Sequence, residues 1–162
     1  MGERSMYLGH VNIYVRNAER SRDWYAKVLG LHTYDFRPGR AAFMSADRAM
    51  SHEVALMEGG EDAPGPKKGQ VGLNHMAWMV ESIEALETAY RRLEDNGVEI
   101  EAIIDHGISL GIYFRDPDGN GVEVSYEQPR SEWPREDAVF AADVVNRGLF
   151  PGPWDTHPAR RR

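Results

Sequence analysis

Six histidines and no cysteine bound the metal and proton chemistry open to this chain. Without thiols there are no disulfides, thiolate nucleophiles, iron–sulfur clusters or cysteine zinc sites. Any bound metal must take imidazole and carboxylate. Two histidines recur in matched surroundings: His10 in Leu8-Gly-His-Val-Asn-Ile-Tyr-Val15, and His75 in Leu73-Asn-His-Met-Ala-Trp-Met-Val80. A lone inward histidine is ordinarily a satisfied core residue. Two at matched positions of a repeat can bring both imidazoles to one point. Glu123, in Gly121-Val-Glu-Val-Ser, adds a carboxylate. A glutamate between valines in a strand usually faces solvent, but this one shares its half with His75 and follows a tight turn. Two imidazoles and one carboxylate would leave three open positions on an octahedral divalent ion.

These residues need elements to position them, and the chain supplies the same set twice. Val11, Ile13 and Val15 alternate as in a half-buried strand, and Met76, Trp78 and Val80 do the same. A helix follows each. In the first, Asn17 caps, Trp24, Tyr25, Val28 and Leu29 form the apolar stripe, and Gly30 ends it. In the second, Ser82 caps, Ile83, Leu86, Tyr90 and Leu93 form the stripe, and Asn96-Gly97 ends it. Three strand-like segments then follow in each half: about 31–36, 40–45 and 52–58, then about 98–104, 111–116 and 121–126. Asp116-Pro-Asp-Gly-Asn-Gly121 reads as a hairpin turn. The expected fold is therefore α+β, with two tandem βαβββ modules (about 7–58 and 72–127) forming a curled mixed sheet around a shared cavity. A linker rich in Gly, Pro, Asp and Lys (59–71) separates them.

At 162 residues the chain has room for one compact unit or two small halves, and its 41% apolar content suffices for a core. Its net charge of −7 disfavours nucleic acid as a partner. The N-terminus lacks the apolar stretch of a signal peptide, and no apolar run suggests a membrane span. A cytoplasmic protein without membrane partners is the expectation.

The chain resembles the vicinal oxygen chelate superfamily, also called the glyoxalase/bleomycin-resistance/dioxygenase fold. The resemblance covers about residues 7–127. It rests on the duplicated Leu-x-His strand starts, the helix ending Val28-Leu29-Gly30-Leu31, and Tyr113-Phe-x-Asp-Pro-Asp-Gly-Asn-x-x-Glu123. It implies His10, His75 and Glu123 as metal ligands. Within the superfamily, Ser51-His-Glu-Val-Ala-Leu, Asp105-His-Gly107 and Gly111-Ile-Tyr-Phe are similar to the active-site stretches of one-domain type I extradiol ring-cleaving dioxygenases. That likeness implies His52 as an acid/base and oxygen-binding histidine, His106 as a hydrogen-bond partner of the substrate hydroxyl, and Tyr113 as an aid to orientation and deprotonation. It also implies Fe(II), with Mn(II) or another divalent ion as variants, and a catechol and O2 as partners; a homo-oligomer, dimer or higher, is expected as well.

Two other classes stay open. Glyoxalase-like lyases, isomerases or epimerases typically add a fourth protein ligand on the last strand of module one, where His52, Glu53 and Glu58 are available. Metal-free drug-binding resistance proteins generally lack the ligand triad. His32 and His157 match nothing and read as bystanders. The extension 128–162 is too apolar for a free tail, with Trp133, Phe140, Leu149, Phe150 and Trp154. A short helix over about 136–146 and packing on the domain or on a partner subunit are expected for it.

Overall fold

The structure, a computed structural model, describes residues 6–133 and 146–147. The expected tail helix, apart from its last residue, lies outside the described residues, as do Phe140, Leu149, Phe150, Trp154 and His157. By its contacts the chain divides into two units, Met1–Gln70 with Asp116–Gly119, and Val71–Arg115 with Asn120–Arg162.

The first unit runs β1 (Val11–Val15), α1 (Ala18–Leu29), β2 (His32–Arg37), β3 (Ala41–Ser45) and β4 (Val54–Glu58). Its sheet has the order β1-β4-β3-β2, with β1 and β4 parallel and the other pairs antiparallel. Asn17 caps α1 by accepting from the Arg20 N–H, and Gly30 closes the helix at φ 74°, where a side chain would be strained. Ala18, Ser21, Tyr25 and Val28 are its buried face.

The second unit repeats the pattern: β5 (Met76–Val80), α2 (Ile83–Asp95), β6 (Ile100–Asp105), β7 (Ser109–Arg115) and β8 (Gly121–Glu127). Its sheet is β5-β8-β7-β6-β9, where β9 is the short Asn146–Arg147 pairing. Asn146, expected as the end of a helix, is therefore strand. Ser82 caps α2 through the Ala85 N–H. The four stripe residues Ile83, Leu86, Tyr90 and Leu93 are the buried ones. At about 1.5–3 kcal/mol for each fully buried large apolar side chain, that face holds α2 on its sheet. The architecture is α+β, two βαβββ modules, as the repeat implies.

The Asp116–Gly119 turn joins two strands of the second unit but packs within the first. Asp118 is the reason. It accepts from the Arg16 backbone N–H (3.1 Å), the Arg16 guanidinium (3.0 Å) and Arg20, with Ser21 Oγ at 3.3 Å. Burial alone would raise the Asp118 carboxyl; the hydrogen bonds and charges of Arg20 and Arg16 outweigh it and hold the group below its ordinary value. Tyr25 donates its hydroxyl to Asp116 Oδ2 (3.2 Å). Burial first, then the Asp116 charge, keeps that phenol protonated. No described helix is long and apolar enough to cross a membrane.

Candidate metal and proton-transfer site

Cross-strand registers decide which side chains share a face of the second sheet. Ala77 stands opposite Glu123 on β8, and Glu123 opposite Tyr113 on β7; Gly111 stands opposite Ser125. Residues directly opposite in a ladder point the same way. Glu123 is 7% exposed, so the carboxylate between two valines is buried rather than solvated.

His75 precedes β5 and reaches the same place. Its Nε2 is 3.1 Å from Glu123 Oε2, and its Nδ1 is 2.8 Å from Asn74 Oδ1. An amide oxygen only accepts, so Nδ1 carries the proton. That leaves Nε2 with a lone pair facing a carboxylate oxygen, an arrangement satisfied by a proton or a cation between them. A side-chain oxygen on the far ring nitrogen is also how metal-binding histidines are oriented. The donor set thus fits a hard or borderline divalent cation.

Tyr113 extends this chain of polar groups. Its ring meets His75 edge-on at 5.3 Å, and its hydroxyl is 3.0 Å from His106 Nε2. Burial first, then the charge of Glu123 and a hydrogen bond to it, raise the Tyr113 hydroxyl well above the usual phenol range. With its only proton given to Glu123, Tyr113 accepts from His106 Nε2–H. His106 is held by the β6–β7 turn, where its N–H donates to Ser109 O (2.8 Å) and Asp105 Oδ1 accepts from the Gly107 N–H (2.7 Å).

In the first unit, His10 and His52 lie together, with ring centroids 4.5 Å apart. Phe43 meets His52 edge-on at 5.5 Å, and Ser51 Oγ is 3.1 Å from its Nδ1. His52 sits two residues before β4, not within a strand start as its sequence position suggested. His32 opens β2 and packs edge-on against Tyr34, away from this pair. Glu53 is turned elsewhere, accepting from Ser45 Oγ and the Ala46 and Asp47 N–H groups. Glu58 accepts from the Ala18 N–H at the start of α1 (3.0 Å).

The structure thus brings His75, Glu123, Tyr113 and His106 together in one unit and His10 with His52 in the other. Among the described residues, no three His, Asp or Glu side chains gather closely enough to hold a metal ion. The sequence reading missed Asn74, Ser51 and two glycines. Gly111 and Gly121 both have ordinary φ, so neither is required by the backbone. A Cβ on Gly121 would collide with the Asn74 carbonyl and press on His75 Cα at 3.0 Å. This glycine lets β8 start close beside the residue that carries the imidazole. The unexplained glycines beside site residues were the available sequence signal.

The glyoxalase/bleomycin resistance protein/dioxygenase superfamily model matches residues 7–124, and the chain belongs to that superfamily. The chain is 32% identical over 132 residues to catechol-2,3-dioxygenase of Bacillus subtilis (strain 168), covering 80% of this chain and 45% of that protein. It is 33% identical over 119 residues to biphenyl-2,3-diol 1,2-dioxygenase 2 of Rhodococcus globerulus, covering 73% of this chain and 61% of that protein. The chain therefore spans about half to three-fifths of these curated relatives. A trivalent organoarsenical cleaving enzyme of Bacillus sp. (strain MD1) is 26% identical over 132 residues, covering 78% of this chain and 77% of that one. Among solved structures, a glyoxalase/dioxygenase from Nostoc punctiforme has the same fold, with a TM-score of 0.63 at 23% identity over 76% of this chain and 92% of that one.

Proposed function

We propose that this chain is a metal-dependent extradiol dioxygenase that opens the aromatic ring of a catechol with O2, using His10, His75 and Glu123 to hold Fe(II) or another divalent ion. The two relatives at 32% and 33% identity support a dioxygenase. One observation favours it over a glyoxalase-like lyase. In each module the first strand, which follows a histidine, pairs in parallel with the last. Val11 and Asn12 stand opposite Val54 and Ala55; Met76 and Ala77 stand opposite Val122 and Glu123. Ala55 is therefore the counterpart of Glu123. Module one has no donor where module two has its carboxylate, and Glu53 and Glu58 are engaged elsewhere. A three-donor set keeps three positions free.

The metal, when bound, supplies those open positions for the two adjacent catechol oxygens and for dioxygen, and lowers the catechol pKa. The chain's own residues handle the protons. Tyr113, held protonated, serves as a donor and not as a base. His106, whose Nε2–H is donated to Tyr113 here, orients a substrate hydroxyl by exchanging that bond for one to the substrate. His52 takes up the catechol proton and returns it, as an imidazole can in general acid–base catalysis. A ring C–C bond beside the diol breaks, and both oxygen atoms end in a semialdehyde product. Cleavage of a trivalent organoarsenical is disfavoured by the absence of cysteine, since soft centres are held by thiolates.

The test is anaerobic reconstitution with Fe(II), then oxygen uptake and yellow product formation across a panel of catechols, with Mn(II), Ni(II) and Zn(II) in parallel. Oxygen uptake with Fe(II) or Mn(II) is expected. No uptake with any catechol, together with hemithioacetal isomerisation by the Ni(II) or Zn(II) form, would overturn the proposal in favour of the lyase.

A further inference from the structure

Gly111 stands in the middle of β7, where glycine packs nothing and weakens the strand. Its φ is ordinary, so no turn or left-handed conformation calls for it. What it leaves open is space. A Cβ at this position would collide with Glu123 Oε1, and its next neighbours would be Tyr113 Cε2 at 3.0 Å and Glu123 Cδ at 3.1 Å. Each of these three atoms belongs to a side chain of the candidate site. The Glu123 carboxyl lies over the backbone of the neighbouring strand, where a side chain at 111 would be, and from there Oε2 reaches His75 Nε2.

We infer that Gly111 is a positioning residue for the site carboxylate: its missing side chain is the socket that seats Glu123 toward His75 and keeps Tyr113 beside it. A methyl group at 111 fits only if the Glu123 carboxyl moves, since the atoms in its way are side-chain atoms and not backbone. Close-packed interiors respond to one added carbon by moving neighbours. Here the groups that must move are a proposed ligand and its hydrogen-bond partner. Glu123 would swing away from His75, and the pair would no longer converge. The consequence for metal binding rests on the function proposed above; the seating of Glu123 does not.

The experiment is a double-substitution cycle with a metal-binding arm. Gly111→Ala is made in the wild type and in Glu123→Ala, and thermal unfolding of the four metal-free proteins is compared. Gly111→Ala lowers Tm, or prevents folding, when Glu123 is present, and costs much less when Glu123 is alanine. Titration with Co(II) and Mn(II) then shows affinity at least about tenfold weaker in Gly111→Ala than in wild type, as for other losses of ligand orientation. An equal Tm cost in both backgrounds, failure of both Gly111 variants to fold, or undiminished metal affinity in Gly111→Ala overturns the inference. If the wild type takes up no metal, the proposed function fails, and the thermal cycle still decides the role of Gly111.

Discussion

The two modules share one plan and differ in the side chains they carry at equivalent positions. Module two carries a buried carboxylate, a histidine oriented by Asn74, and a tyrosine and second histidine in hydrogen-bond sequence with it. Module one offers a histidine pair against Phe43 and an alanine where its twin has the carboxylate. Duplication explains the likeness of the backbones. The difference shows that equivalent backbone positions do not keep equivalent chemistry: one copy holds a buried carboxylate, and the other a histidine pair against an aromatic ring.

Removing donors from either side is the most severe way to break this comparison. Glu123→Ala, His75→Ala and His10→Ala should each abolish bound metal and turnover, measured as metal content and oxygen uptake. If His10→Ala keeps both, module two works without its twin. Next in size, His52→Ala should keep the metal and slow turnover by about 10²–10⁴-fold, the usual share of an acid/base group. Loss of metal in that variant would make His52 a ligand and module one a second donor of equal rank.

A smaller effect is expected one shell out. Asn74→Ala frees the far nitrogen of His75 and should weaken metal affinity by about 10–100-fold, read by titration. The smallest concerns stability alone. Asp118→Asn loses the charged bonds from Arg16 and Arg20 and should cost about 1–3 kcal/mol. Because the Asp118 carboxyl is held below its ordinary value, its contribution is complete above the unfolded value of about 4 and is lost as pH falls through the lower folded value. Denaturant titrations at neutral and at acid pH should therefore show the gap between wild type and variant shrinking in acid.

The sequence was read most easily where contacts are local. Asn17 and Ser82 cap, Gly30 ends α1, and Ile83, Leu86, Tyr90 and Leu93 line the buried face of α2, because caps and stripes depend on residues three or four apart. Strand limits were less legible: His52 lies outside β4, and Asn146 is strand where a helix end was expected. The direction of Glu123 was not legible either. Alternation in Val-Glu-Val says that the glutamate opposes its neighbours but not which face is covered. Gly111 and Gly121 looked like any glycines, since the atoms that need their space come from residues 12 and 47 positions away along the chain.

The sequence by itself determined the repeat, the helices and their caps, the hairpin turn and the absence of thiol chemistry. Each depends on residue type and short-range spacing. Only the tertiary structure decided that Glu123 is buried against His75, that burial and Glu123 raise the Tyr113 hydroxyl, that Ala55 is the counterpart of Glu123, and that the Asp116–Gly119 turn packs with the first unit. These follow from strand register and from contacts between distant segments, which set the neighbours and solvent exposure of each group and hence its charge and its chemistry.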